Sequence, residues 1–104
     1  MTAFAVAVRA IFSDRNMAED AFHRVGGIGA GTITRAIRRA SDQVSSFNEG
    51  RFVSDTILLD VPTASVPLLA VGDTIEMGAS IYEVRADPVR DADRLVWSAE
   101  ARAL

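Results

Sequence analysis

From Thr56 to Ala101 the chain is written in short runs, each too brief for an ordinary helix and each ended by a turn-forming residue. Thr56–Val61, "TILLDV", is stopped by Pro62. The irregular connection "PTASVPLLAVGD" follows, with a second proline that cannot donate to a sheet ladder. Thr74–Met77 and Ile81–Ala86 then read as a hairpin around Gly78-Ala79, with Ile75 and Met77 on one face and Tyr82 and Val84 available to pair with them. The charged turn "DPVRDADR" leads into a last strand, Leu95–Ala101, with Leu95, Trp97 and Ala99 on one face. Strands at this spacing predict a mainly β fold, a small antiparallel β-barrel or sandwich.

The amino-terminal stretch alternates as well. Phe4, Val6, Val8, Ala10 and Phe12 fall on one side and Ala5, Ala7, Arg9, Ile11 and Ser13 on the other, which predicts a half-buried strand over residues 4–12. The run carries Arg9 at its middle, has no basic leader and meets no small-residue cleavage pattern, so it does not read as a signal peptide. No stretch is apolar for long enough to span a membrane.

Between Asp14 and Arg51 the alternation stops. "NMAEDAFHRVGG" has Asn16 placed as a helix cap, Glu19 three residues later and Gly26 past the end, predicting one short helix. "GGIGAG" then reads as a hinge. In "TITRAIRRASDQVSSFNEG", Ile33, Ile37, Ala40 and Val44 would share a helical face, although its β-branched and hydroxyl residues are mediocre helix formers. The expected organisation is one domain over residues 1–104, with a long middle loop and one or two short helices making a mobile insertion at about 14–51.

The chemistry available to this chain is narrow. A length of 104 residues suits one domain with a small core. With no cysteine there are no disulfides, thiolate nucleophiles or cysteine-ligated metals. The glycine stretch lacks the lysine of a phosphate-binding P-loop, since all eleven basic residues are arginine, and it does not sit in a βαβ unit. His23 is the sole histidine and has no partner at a recognisable catalytic or metal-ligand spacing, so it reads as a partly exposed residue of the short helix. Asp87, Asp91 and Asp93 alternate with Arg90 and Arg94 in a solvated turn. No catalytic residue, cofactor site or metal site is expected.

Arg35, Arg38 and Arg39 stand apart as candidate interaction residues. Three arginines in five residues could grip nucleic acid, but a net charge of −3 makes the remaining surface repel a phosphate backbone. They could equally pair with carboxylates of another subunit. Trp97 reads as core, or as an anchor for a subunit contact.

"VRAIFSD" at residues 8–14, followed by a long variable segment and then by "SDTILLDVPTASVPLLAVGDTIEMGASIYEVRADPVRDADRLVWSAE", resembles the head–tail joining proteins of lambda-like tailed phages and prophages. The similarity is carried by Ile11-Phe12-Ser13-Asp14, Gly72-Asp73-Thr74-Ile75, Gly78, Tyr82-Glu83-Val84 and Leu95-Val96-Trp97, and it covers about residues 6–14 and 54–101. The middle segment is longer than in the lambda-type subunit, and that subunit's extra amino-terminal arm is missing. The resemblance implies a structural virion protein of the neck, made in the host cytoplasm. It would form a homo-oligomeric ring between portal or adaptor proteins on the head side and tail terminator or tail tube proteins on the other. DNA would pass through the bore without specific binding, and no cofactor or membrane would be involved. The rival from another class is a small β-barrel adaptor of the SH3 or OB kind that binds a peptide or nucleic acid. A small enzyme lacks the residues for the work.

Overall fold

A computed structural model describes residues 3–40 and 56–104 of the chain. It contains one helix, α1 (Ala3–Ser13), and seven strands: β1 (Glu19–Arg24), β2 (Thr32–Ala40), β3 (Thr56–Pro62), β4 (Thr74–Met77), β5 (Ser80–Val84), β6 (Val89–Arg90) and β7 (Val96–Ala103). All pairings are antiparallel, in the order β3-β2-β1-β4-β5-β7, and β7 returns to pair with β3 along its length from Val96 to Arg102. The sheet is thereby closed into a six-stranded barrel, with β6 added beside Trp97 and Ser98 of β7. Closure satisfies both edges of the sheet without a second molecule.

The inward residues explain how so few strands can close. A barrel's diameter falls with strand number, and small side chains occupy much of the interior: Ala21 on β1, Ala36 on β2, and Ala99 and Ala101 on β7. Leu59, Val61, Ile75, Met77, Tyr82, Val84 and Trp97 supply the bulk. Val66 and Leu69, from the connection between β3 and β4, bury themselves over one end and close it. Each of these side chains contributes roughly 1.5–3 kcal/mol by leaving water, where it is large and apolar.

The predicted hairpin forms with its expected turn. Met77 pairs with Ser80, leaving Gly78-Ala79 as a two-residue loop. Gly78 has φ of 61°, the backbone region that such a loop demands and that side chains resist. The third strand and the last strand also lie where the sequence placed them, within a residue or two.

Three expectations are corrected. The amino-terminal run is helix α1, not a strand over 4–12. Its four alanines favour helix over strand, and Ala5, Val8 and Phe12 also lie along one helical face; Phe12 is the residue that becomes buried. The short helix expected after Asn16 is instead strand β1, because β2 on one side and β4 on the other pair with it and bury Ala21 and His23 at alternate positions. Asn16 caps no helix: its backbone amide donates to Asp14 Oδ1 in the turn that follows α1. The second expected helix is strand β2 from Thr32 to Ala40, buried at Thr34 and Ala36. Its β-branched content suited the sheet. The rest of that helix, together with residues 41–51 of the expected mobile insertion, lies outside the described residues. The remainder of the insertion supplies two of the six barrel strands.

Candidate attachment surfaces

The three arginines of β2 are held by their own chain. Arg35 donates from Nε to the Phe12 carbonyl and from Nη2 to the Ala18 carbonyl, at 2.9 Å each, and its Nη1 pairs with Asp20. One guanidinium thus fastens the last turn of α1, the connection after it and β1. Arg38 reaches Glu19 at 2.8 Å and donates to the Tyr82 hydroxyl at 2.9 Å. Those two partners, Tyr82 first, hold its pKa above the ordinary arginine value. Arg39 pairs with Asp60 at 2.9 Å, and this bond raises its pKa likewise. Because Arg38 lies out of phase with Arg35 and Arg39 along the strand, the three do not make one patch.

Trp97 faces inward and is 8% exposed. Its Nε1 donates to the Val66 carbonyl at 2.8 Å, tying β7 to the connection that closes the barrel end. The Arg90 guanidinium lies 5.1 Å from the centre of the ring. The indole's role in the isolated subunit is therefore internal.

The same barrel end holds a polar centre that sequence reading missed. His23, expected to be partly exposed on a helix, is buried on β1, and its Nε2 lies 2.8 Å from Asp73 Oδ2. Asp73 also accepts the Gly26 amide at 3.0 Å and the Ala70 amide at 3.1 Å. Burial pushes this carboxyl's pKa up, but the Gly26 amide, the His23 ring and the Ala70 amide outweigh it and hold it below the ordinary carboxylate value. An ionised Asp73 can only accept, which puts the proton on His23 Nε2. The available signal was the Gly72-Asp73 pair itself, which marks a turn; its partner fifty residues away could not be read from spacing.

Around this centre the backbone carries apolar side chains outward. Val25 and Ile28 flank the glycine turn between β1 and β2 and are 69% and 77% exposed; Val71 stands on the neighbouring Ala70–Asp73 turn. The two turns are joined through Asp73, so this apolar pole has a fixed shape.

A second apolar feature runs along the barrel wall. Helix α1 packs against β2 and β3 through Phe12, with Ala5 and Val8 half-buried, and between helix and barrel lies a groove of about 640 Å³. Pro62 and Leu95 form its barrel side, and Arg9 and Arg15 border it. The outer face of α1 leaves Phe4 and Val6 about half exposed. A helix that is apolar nearly all round is normally a buried one. No helix among the described residues is long and apolar enough to cross a membrane.

The family model described as "Phage Head-Tail Attachment protein" matches residues 1–101, a span that takes in α1, the barrel up to the last two residues of β7 and the segment between β2 and β3. No curated protein and no solved structure matches. The similarity first suggested by the "IFSD", "GDTI" and "YEV" segments thus extends across nearly the entire chain, and the protein belongs to the phage head–tail attachment family.

Proposed function

We propose that this protein is a ring-forming subunit of the phage neck, set between the portal or adaptor on the DNA-filled head and the terminator or tube of the tail. Membership of the head–tail attachment family establishes a structural role in connecting head and tail, and it is the observation that carries the finer reading. The architecture supports it. Among the described residues, closure leaves only the two-residue strand β6 with an open sheet edge, so contacts with other subunits fall mainly to side-chain surfaces such as α1 and the Val25–Val71 pole. Such a part works by binding and needs no catalytic group. The β2 arginines and Trp97 are its candidate contact residues; the solvent-exposed guanidiniums of the Arg38–Glu19 and Arg39–Asp60 pairs can exchange partners with a neighbour's carboxylates. DNA would pass the ring's bore without being gripped, in keeping with the net charge of −3.

The test is genetic and visual. Cells infected by phage lacking this gene should accumulate DNA-filled heads beside separate, complete tails, and supplying the protein should restore joined particles. Normal joined particles without it, or heads empty of DNA, would remove the neck role.

A further inference from the structure

The apolar pole and the apolar groove share no residue and have opposite forms, one a projecting pair of turns and the other a recess. From this we infer that successive copies of this chain join head to tail, the pole of one copy (Val25, Ile28 and Val71) seating in the α1 groove of the next. The inference rests on the ring reading above and names the surfaces that would make the ring.

Three observations select a second copy as the occupant. The first is complementarity on one chain: an apolar projection and an apolar recess on different faces are the requirement for a heterologous contact, which closes into a ring when the rotation between copies allows. The second is rigidity. The pole is held by Asp73 through the Gly26 and Ala70 amides, so seating it demands little ordering of loops. The third is charge. Val84 exchanges backbone hydrogen bonds with Gly72 and Asp73, which brings the following turn beside the pole; there Arg85 is paired with Glu83 at 2.9 Å, and Asp87 is the exposed carboxylate. Arg15, exposed in the turn after α1, borders the groove. Opposite charges on the two rims favour this orientation over pole-to-pole or groove-to-groove pairing. The contact would also cover the turn-borne valine and isoleucine, which a free subunit leaves in water.

The absence of cysteine makes the contact directly measurable. Ala5→Cys places one thiol in the groove and Ile28→Cys places one on the pole; Val8→Cys with Val25→Cys is a second pair for use if either of the first impairs folding. Joined particles assembled in infected cells with the double variant are treated with a short bis-maleimide. The expected result is a ladder of linked copies rising to the full ring. Particles assembled from the two single variants together should stop at dimers, and either single variant alone should give no linked copies. Ile28→Cys linking to itself would show a symmetric contact and overturn the inference. So would links from the pole only to other virion proteins. Joined particles with no linked copies for either pair would remove this interface while leaving the head–tail role intact, whereas particles that join normally without the gene would remove the role itself.

Discussion

His23 and Asp73, fifty residues apart in sequence, meet inside the barrel end with Nε2 and Oδ2 separated by 2.8 Å and both side chains only 5% exposed. Asp73 is the acidic residue of the Gly72-Asp73-Thr74-Ile75 segment, and three segments converge on it: β1, the glycine turn and the connection into β4. The pair therefore fixes the part of the surface where Val25, Ile28 and Val71 project.

Removing the carboxylate should be costly. Asp73→Ala strands the buried His23 donor and frees the Gly26 and Ala70 amides, and it should lower unfolding stability by about 3–5 kcal/mol. Asp73→Asn keeps the shape but loses the charge and should cost about 1–3 kcal/mol. Denaturant titration measures both. A loss below a few tenths of a kcal/mol for Asp73→Ala would show that the pair contributes nothing.

The same carboxylate sets an acid limit. Its folded pKa is depressed, so between the folded and unfolded values the unfolded chain binds the extra proton and stability rises with pH. The contribution is fully present above the unfolded value of about 4 and fades as pH falls through the lower folded value. Denaturation midpoints taken from pH 6 downward should fall for the wild type below about pH 4, and less steeply for Asp73→Asn. Parallel curves would assign the acid loss to other carboxylates.

Much of the barrel was legible because its carboxy-terminal strands are bounded by turn chemistry. Pro62, Gly78 and the 87–94 turn punctuate runs too short to be helices. The amino-terminal half misled for physical reasons. Alanine-rich α1 satisfies both a period of two and a helical stripe, and only its propensity separates them. Strand β1 carries "EDAFHR", which has no strand bias of its own; pairing on both edges imposes the conformation. The arginines were recognised as unusual, but carboxylates brought in by the fold, such as Asp60 on β3, decide what they touch.

Pairing on both sides makes β1 and β2 integral to the barrel, with consequences for hydrogen exchange. Amides of 21–24 and 33–39 should be protected to a degree comparable with those of β3, because opening them breaks the closed sheet. Exchange followed by mass spectrometry or NMR tests this. Uniformly fast exchange from Asp14 through Ala40 would instead mark the whole stretch as the mobile insertion that the glycine content suggests.

Trp97→Phe removes one hydrogen bond together with part of the buried ring volume. An aromatic ring stays in the interior, but the Val66 carbonyl loses the Nε1 donor at a buried position. A cost of about 1–3 kcal/mol or somewhat more is expected, with the far-ultraviolet signal of the β fold retained. Equal stability of the two proteins would leave the indole's value to a contact outside the subunit.

The three β2 arginines should separate when changed one at a time. Arg39→Ala removes one ion pair, Arg38→Ala an ion pair and the hydrogen bond to the Tyr82 hydroxyl, and exposed pairs of this kind contribute about 0–1 kcal/mol. Arg35→Ala is different in kind. It withdraws the donors to the Phe12 and Ala18 carbonyls along with the pair to Asp20, so the last turn of α1 loses its attachment to the barrel. A stability loss of about 1–3 kcal/mol is expected, accompanied by faster exchange of the α1 amides and little change in β3 to β7. Because α1 forms one wall of the groove, the Arg35→Ala protein should also assemble joined particles less well than either of the other two. Equal assembly defects in all three, with α1 exchange unchanged in Arg35→Ala, would mean instead that the guanidiniums act directly on a neighbouring protein.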